Sequence, residues 1–300
     1  MPKNDELSRS HFLKNDFDLA LPDDFELSPE FKSGFDAIEG TSKNLYITGE
    51  AGTGKTTLLK YFRQHTRKKH VVLAPTGIAA INSHGQTIHS FFRFPPKFIQ
   101  RDHVRKVWNA GHIFDSLDLL IVDEASMMRA DLMDGIDQAL RINRNHSLKP
   151  FGGVQIVLFG DLFQLPPIVD RDMRELYEQK YKTPYFFSAK VFKDVNFHRI
   201  NLRKIYRQKD QAFRDVLNKI RKRSAALQEM ELLNSRVDPG ACESAHDCIT
   251  LTPTNAVANA INEARLEKLK TEEFVYNAVV KGEFDEKSYP TETRLRLRKG

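Results

Sequence analysis

Five short apolar runs alternate along the chain with segments that have helical spacing. The middle runs are apolar without alternation, which is typical of strands buried on both faces of a parallel sheet. Strand and helix alternation of this kind predicts an α/β sheet with right-handed crossovers. The predicted strands are residues 45–48, 71–74, 117–122, 154–159 and 195–202, and the predicted helices are residues 56–65, 130–142 and 211–222.

The pattern also predicts where the domains begin and end. Residues 1–27 mix acids with scattered Phe and Leu and predict a poorly ordered acidic N-terminus. A helix is predicted over 29–39, with Ser28 as its cap and Pro29 at its first position. We expect one domain over 28–200 and a second over 201–300.

The second domain contains fewer clear elements. A new unit is predicted to begin at residues 249–252 and to continue into a helix over 255–270, and the alternating run at 294–298 predicts a strand. Because the chain stops at Gly300 directly after that strand, we expect a fragment in which this domain is truncated.

Composition excludes several classes of protein. A chain of 300 residues with 40% hydrophobic content can bury the cores of about two domains, so a disordered or fibrous protein is excluded. The absence of an apolar stretch of roughly 20 residues and of a secretory signal predicts a soluble, cytoplasmic protein without a membrane partner. Cys242 and Cys248 cannot form a disulfide framework, and with His246 they lack a fourth metal ligand at suitable spacing.

The charge is unevenly distributed. The net charge is +6, but residues 1–40 carry 4 basic and 10 acidic side chains, so the rest of the chain is strongly basic. Residues 199–223 contain ten Lys or Arg against Asp210 and Asp215. Such a segment suits a polyanion such as nucleic acid, although a solvated helix face is the alternative.

A glycine-rich segment with the pattern G-x-x-x-x-G-K-[ST] follows the first predicted strand and precedes a predicted helix. In this context backbone N–H groups and the helix N-terminus can hold phosphate oxygens, Lys55 can reach the outer phosphates, and the Thr56 hydroxyl can bind magnesium. The sequence therefore predicts a site for ATP and Mg²⁺. The predicted nucleotide-binding residues are Gly49, Ala51, Gly52, Thr53, Gly54, Lys55, Thr56 and Thr57.

Two further strands end in polar residues. The strand 117–122 is followed by Asp123, predicted to hold magnesium, and by Glu124, predicted to orient and deprotonate the attacking water. The strand 154–159 is followed by a segment that contains Gln164, a neutral side chain suited to contact a γ-phosphate. The two prolines after it fix the exit of the chain, so that movement of Gln164 could reach the following loop.

An aromatic segment follows the second strand. Phe91, Phe92 and Phe94 are interleaved with Arg93 and Lys97, and exposed rings could stack on the bases of single-stranded DNA. The alternative is that these rings belong to the core.

Several motifs in a fixed order resemble those of superfamily 1B DNA helicases. They are GEAGTGKT, APTGIAA, GQTIHSFF, DEAS, GDLFQLPP, YRQ and TPTN. The chain is most similar to the petite-integration-frequency helicases of bacterial type and more distantly to the RecD helicases, over about residues 28–300. The resemblance implies an ATP-dependent 5′ to 3′ helicase with RecA-like domains that acts on single-stranded and forked DNA, in a family linked to DNA repair, recombination and telomere maintenance.

The resemblance also implies roles for individual residues. Lys55, Glu124 and Gln164 would act at the phosphates, with Arg207 as an internal arginine finger, and residues 91–113 would form an insertion that helps to separate the duplex. The implied DNA contacts are Pro75, Thr76, Gly77, Thr87, His89, Phe91, Thr252, Thr254 and Asn255. For residues 252–255, a strand exit followed by a helix cap is an equal alternative.

The sequence departs from the family pattern at two points. Phe31 stands where the family has a glutamine that reads adenine, and the late motifs of the family would lie beyond Gly300. A monomer is expected. Two alternatives to the helicase remain: a DNA-stimulated ATPase that does not unwind, and a single-strand DNA-binding module that is gated by nucleotide.

Overall fold

The structure is a computed structural model of the chain, and it divides into two compact units, Met1–Ala225 and Ala226–Gly300. The residues that it describes are 20–22, 25–107, 111–170, 173–204, 206, 211–238, 249–280 and 292–299. No helix in these ranges is both long enough and apolar enough to span a membrane.

The first unit is organised around a six-stranded sheet whose strands are all parallel to their neighbours. The strand order is β3-β2-β4-β5-β1-β6. This arrangement is the α/β sheet that the apolar runs predict. The strands are β1 (Asn44–Gly49), β2 (His70–Ala74), β3 (Gln86–Thr87), β4 (Leu119–Val122), β5 (Gln155–Phe159) and β6 (Phe197–Leu202).

Helices cover both faces of this sheet. In the described part of the unit they are α1 (Pro29–Glu39), α2 (Lys55–His65), α3 (Gly77–Asn82), α4 (Ile88–Phe92), α5 (Gly111–Ser116), α6 (Ala130–Asn143), α7 (Arg174–Lys180) and α8 (Gln211–Arg221). Short 3₁₀ turns lie at Arg101–His103, Ala125–Met127, Pro150–Gly153, Phe186–Ser188 and Lys190–Lys193.

Successive residues of the central strands enter two different cores. In β4, Leu120 and Val122 pack into a core that includes residues of α4 and α6, whereas Leu119 and Ile121 pack into a core formed with α1 and α2. All four side chains are fully buried. The continuous apolar run therefore follows from burial on both faces, because side chains of a strand alternate between the faces.

The parallel strands bring their carboxyl ends to one edge of the sheet. Leu73 pairs with Gln86 and Ala74 with Thr87, so the segments that follow β2 and β3 emerge side by side. The ends of β1, β4 and β5 lie further along the same edge. This edge carries the polar residues on which the functional predictions rest.

The second unit contains two helices and a small antiparallel sheet among its described residues. The helices are α9 (Leu227–Asn234) and α10 (Asn255–Lys268), and the strands are β7 (Glu273–Asn277) and β8 (Arg294–Arg298). The predicted strand at residues 294–298 is confirmed, and its partner β7 was not predicted. Residues 249–252 form no strand, and Ile249 and Leu251 are exposed.

Candidate nucleotide and DNA site

The phosphate loop connects β1 to α2 and depends on glycines at close approaches. Gly52 and Gly54 adopt φ angles of 81° and 80°, in the left-handed region that favours glycine. A Cβ on Gly54 would lie 2.6 Å from the ring of Phe31, and a Cβ on Gly49 would lie 2.7 Å from the Leu202 carbonyl oxygen. The loop therefore leaves no room for side chains at these positions.

Lys55 begins α2 and turns back over the loop. Its Nζ donates hydrogen bonds to the carbonyl oxygens of Gly49 at 2.9 Å and Glu50 at 3.1 Å. Burial lowers the pKa of Lys55, while the nearby carboxylates of Asp161, Glu124 and Asp123 oppose this shift. The ammonium group is thus held among carbonyl oxygens and carboxylates, at the place where a phosphate chain would run.

Asp123 and Glu124 follow β4 directly. Asp123 is buried, and burial, reinforced by the charge of Glu124, raises its pKa to about 6 although the Glu124 N–H donates to its Oδ1 at 2.9 Å. Glu124 has φ of 49° and ψ of 42°, a left-handed conformation that is costly for a residue with a side chain. Such backbone strain is common at functional sites.

The oxygen atoms of this region suit magnesium, which prefers hydroxyl, carboxylate and phosphate oxygens. Thr56 at the start of α2 offers an exposed hydroxyl and Asp123 a carboxylate. In the described part of the chain, no three His, Cys, Asp or Glu side chains form a group that could hold a metal ion by themselves. An ion here would need phosphate oxygens and water to complete its ligands.

Gln164 lies in the segment that follows β5. Its backbone N–H donates to the Asp161 carbonyl oxygen at 2.9 Å, and its Nε2 lies 3.4 Å from Asp161 Oδ2. Its side chain lines one cleft together with Lys55, Thr56 and Glu124. The structure therefore brings the predicted phosphate-contacting groups of three strand ends into one cleft.

Aromatic residues also line this cleft. Phe25 and Tyr206 line it, and both lie close to Phe31, with ring centroids 6.0 Å and 5.5 Å away. The Tyr206 N–H donates to the Gly52 carbonyl oxygen at 2.9 Å, which ties the segment after β6 to the phosphate loop. Phe31 itself is buried beneath the loop.

The predicted DNA contacts of the first unit lie beside this cleft, after β2 and β3. Thr76 caps α3 and Thr87 caps α4, each accepting a hydrogen bond from the backbone N–H three residues later. A Cβ on Gly77 would meet no atom within 4 Å, so packing within the protein does not require glycine there. Ile78, next to it on α3, is 77% exposed.

The aromatic segment is buried rather than exposed. Phe91, Phe92 and Phe94 are at most 9% exposed and contact one another or Phe114, with centroids 4.9 to 6.0 Å apart. These rings therefore belong to the core, and the DNA contact implied for Phe91 stays a prediction for a residue that is only 9% exposed. His89 is partly buried, and burial followed by the charge of Arg129 lowers its pKa.

The remaining predicted residues are divided between the second unit and the undescribed positions. Thr254 caps α10 by accepting from the Val257 N–H at 3.4 Å, and the Thr252 hydroxyl donates to the Thr254 carbonyl oxygen. Asn255 begins α10 and is exposed. The arginine-finger prediction at Arg207, the metal alternative at Cys242, His246 and Cys248, and most of residues 1–27 lie outside the described residues.

Sequence reasoning missed three residues of this region. Phe25 lies in the segment predicted to lack order, Tyr206 belongs to the YRQ motif without a predicted role, and Arg221 is one of ten basic residues between 199 and 223. Arg221 in fact contacts both Asp161 and Glu50. These two acids lie 60 and 171 positions before Arg221 in the sequence, so no local pattern indicates either contact.

A parallel sheet that presents a phosphate loop and an acidic strand end at one edge defines the class of P-loop nucleotide-binding proteins. Within that class, a match to one protein family is found. A family model described as PIF1-like helicase matches residues 26–235, and the chain belongs to this family.

Known relatives agree with this assignment. The chain is 31% identical over 259 residues to ATP-dependent DNA helicase PIF1 of Emericella nidulans, covering 82% of this chain and 33% of that protein. It is similar to a crystal structure of the Bacteroides Pif1 helicase in complex with ADP-AlF3 and ssDNA, with 38% identity, a TM-score of 0.81, and coverage of 92% of this chain and 64% of that one.

A second solved structure, of two coordinating Pif1 helicases at forked dsDNA, gives 38% identity and a TM-score of 0.81 over 91% of this chain and 65% of that one. The chain spans 33%, 27% and 28% of the length of three of the curated relatives that it matches.

Proposed function

We propose that this chain belongs to an ATP-dependent DNA helicase that moves 5′ to 3′ along single-stranded DNA. The observation that carries the proposal is the arrangement at one sheet edge: Lys55, Glu124 and Gln164 line one cleft, and the capped turn at Thr76 follows β2, which pairs with β4 just before Glu124. Nucleotide chemistry at the first three residues could thereby alter the grip on DNA at Thr76.

In the nucleotide site, the phosphate loop holds the phosphates through backbone N–H groups, and Lys55 neutralises their outer oxygens. Thr56 and Asp123 would hold Mg²⁺, which would neutralise charge on the phosphates. Glu124 orients the attacking water and accepts its proton. Gln164 contacts the γ-phosphate, so the position of the segment that follows β5 depends on whether this phosphate is bound.

The DNA strand runs over the turns after β2 and β3. Pro75, Thr76, Gly77, Thr87 and His89 contact its backbone. The helix caps at Thr76 and Thr87 support this, since backbone N–H groups at helix starts favour anions. In the second unit, Thr252, Thr254 and Asn255 provide another contact, because α10 also begins with a capped turn.

The chain comprises a RecA-like ATPase domain over residues 28–200, with a duplex-separating segment at about 91–113, and a second RecA-like region over 201–300. Arg207 acts as an arginine finger. The proposed partner is single-stranded or forked DNA, bound by a monomer. A cytoplasmic location stays a prediction.

The helicase proposal is tested with partial duplexes that carry a single-stranded tail at either the 5′ or the 3′ end. We expect ATP-dependent strand release only from the duplex with the 5′ tail. Hydrolysis without release from either duplex would favour a DNA-stimulated ATPase. DNA binding that depends on nucleotide, without hydrolysis, would favour a gated binding module.

A further inference from the structure

Arg221, the last residue of α8, joins two acids that flank the nucleotide cleft. Its Nη2 lies 2.8 Å from Asp161 Oδ1 and its Nε 3.2 Å from Asp161 Oδ2, so the contact is bidentate. Its Nη1 lies 3.5 Å from Glu50 Oε1 in the phosphate loop. The Asp161 side chain is 2% exposed and that of Arg221 19%, so the pair is shielded from water.

The acid that Arg221 holds is the one that orders the segment of Gln164. Asp161 Oδ1 accepts a hydrogen bond from the Phe163 N–H at 3.2 Å, and Asp161 Oδ2 lies 3.4 Å from Gln164 Nε2. A carboxylate fixed by a guanidinium fork keeps its orientation, since both nitrogen atoms must move together. The position of Gln164 thus depends on Asp161, and that of Asp161 on Arg221.

Arg221 also stacks on the segment itself. Its guanidinium carbon lies 4.3 Å from the ring centroid of Phe163, which is otherwise 60% exposed. A cation over an aromatic face is attracted to the ring. The Arg221 side chain therefore contacts three residues: Glu50 in the phosphate loop, Asp161 after β5, and Phe163 directly before Gln164.

We propose that Arg221 is a positioning residue for Gln164. Arg221 holds Asp161 and Phe163 and thereby keeps the Gln164 amide at the cleft. Its contact with Glu50 connects the Gln164 segment and α8 to the phosphate loop. This inference rests on the proposed ATPase function. Arg221 itself has no proposed contact with nucleotide, and its effect passes through Asp161 and Phe163.

The test compares steady-state ATP hydrolysis by the full chain, with and without single-stranded DNA, for the wild type, Arg221→Gln, Gln164→Ala and the double variant. We expect Arg221→Gln to lower the DNA-stimulated kcat about tenfold, since small displacements of a phosphate-contacting group are costly, while the KM for ATP changes less than about threefold. Arg174→Gln, which removes an exposed arginine at the start of α7, serves as the charge-matched control.

The double variant separates positioning from general structure. If Arg221 acts through Gln164, the double variant is no slower than Gln164→Ala alone. The inference is overturned if the losses of the two single variants multiply in the double variant. It is also overturned if Arg221→Gln lowers basal hydrolysis as much as DNA-stimulated hydrolysis and raises the KM for ATP. Asp161→Asn, which disrupts the same fork from its other side, must also lose stimulation by DNA; full stimulation of Asp161→Asn overturns the inference.

The same measurements distinguish a failure of this inference from a failure of the proposed function. A wild type without ATP hydrolysis refutes the proposed function, and the inference falls with it. A wild type stimulated by DNA, together with an Arg221→Gln variant that is stimulated equally, refutes the inference alone.

Discussion

The ring of Phe31 fills the space beneath Gly54, so closely that a Cβ on Gly54 would lie 2.6 Å from the ring's Cζ atom. Phe31 is 1% exposed and belongs to the core formed by α1, α2 and β1. The phosphate loop is therefore supported from below by an aromatic side chain of α1.

We expect Phe31→Ala to lower the free energy of unfolding by about 3 to 5 kcal/mol, the usual cost of removing a fully buried ring. Nucleotide affinity should fall as well, because Gly54 loses its support. Phe35→Ala, which truncates a partly buried ring on the same helix, is the control and should cost less. Denaturant unfolding and binding of a fluorescent ATP analogue measure the two effects, and an unchanged affinity would show that the loop does not need Phe31.

The pKa of Asp123 links stability to pH. Because burial raises this pKa from 3.8 to about 6, the native carboxyl is costly to ionise. Its stabilising contribution is complete below the unfolded pKa and is lost as the pH rises through about 6. At pH 8, without nucleotide or metal, Asp123→Asn should raise the free energy of unfolding by about 2 to 3 kcal/mol.

That gain should shrink as the pH falls from about 6 to about 4, because the wild-type carboxyl is then protonated in the native state. Thermal unfolding of both proteins across this range measures the difference. A gain that is independent of pH would show that Asp123 is not the titrating group.

The open surface at Gly77 allows a clean test of DNA contact. Gly77→Ala introduces no clash within the protein and replaces glycine at the first position of α3, which should stabilise the helix by up to about 1 kcal/mol. If the DNA backbone approaches Gly77 closely, affinity for single-stranded DNA should still fall, and more for Gly77→Leu than for Gly77→Ala. Fluorescence anisotropy measures this, and equal affinity for all three proteins would place the DNA elsewhere.

Gln164 is expected to couple hydrolysis to DNA. Gln164→Ala should retain basal ATP hydrolysis but respond less to single-stranded DNA, because the proposed contact of its amide with the γ-phosphate is lost. Gln179→Ala, at an exposed position of α7, should behave as the wild type. Full stimulation of Gln164→Ala would remove its coupling role.

The sequence predicted the sheet because its strands depend on local apolar patterns. The apolar runs locate β1, β2, β4, β5 and β6 to within about two residues, and the cap at Ser28 and helix Pro29–Glu39 are confirmed, with Ser28 Oγ accepting from the Phe31 N–H. The two-residue strand β3 was missed because so short a run has no period.

What could not be predicted depends on residues distant in sequence. The burial of Phe91 follows from its packing against Phe114, which lies in a different helix. The contact of Arg221 with Asp161 joins positions 60 residues apart, so the basic run alone could not distinguish it from a solvated charge.

The central claim, that Lys55 holds the phosphates of ATP at this sheet edge, is tested most directly by hydrolysis and DNA binding of Lys55→Ala. We expect ATP hydrolysis in the presence of single-stranded DNA to fall at least about a hundredfold, with DNA affinity within about threefold of the wild type. Lys69→Ala, an exposed lysine just before β2, should change neither. Hydrolysis that survives in Lys55→Ala, or DNA affinity lost in parallel with it, would contradict the account.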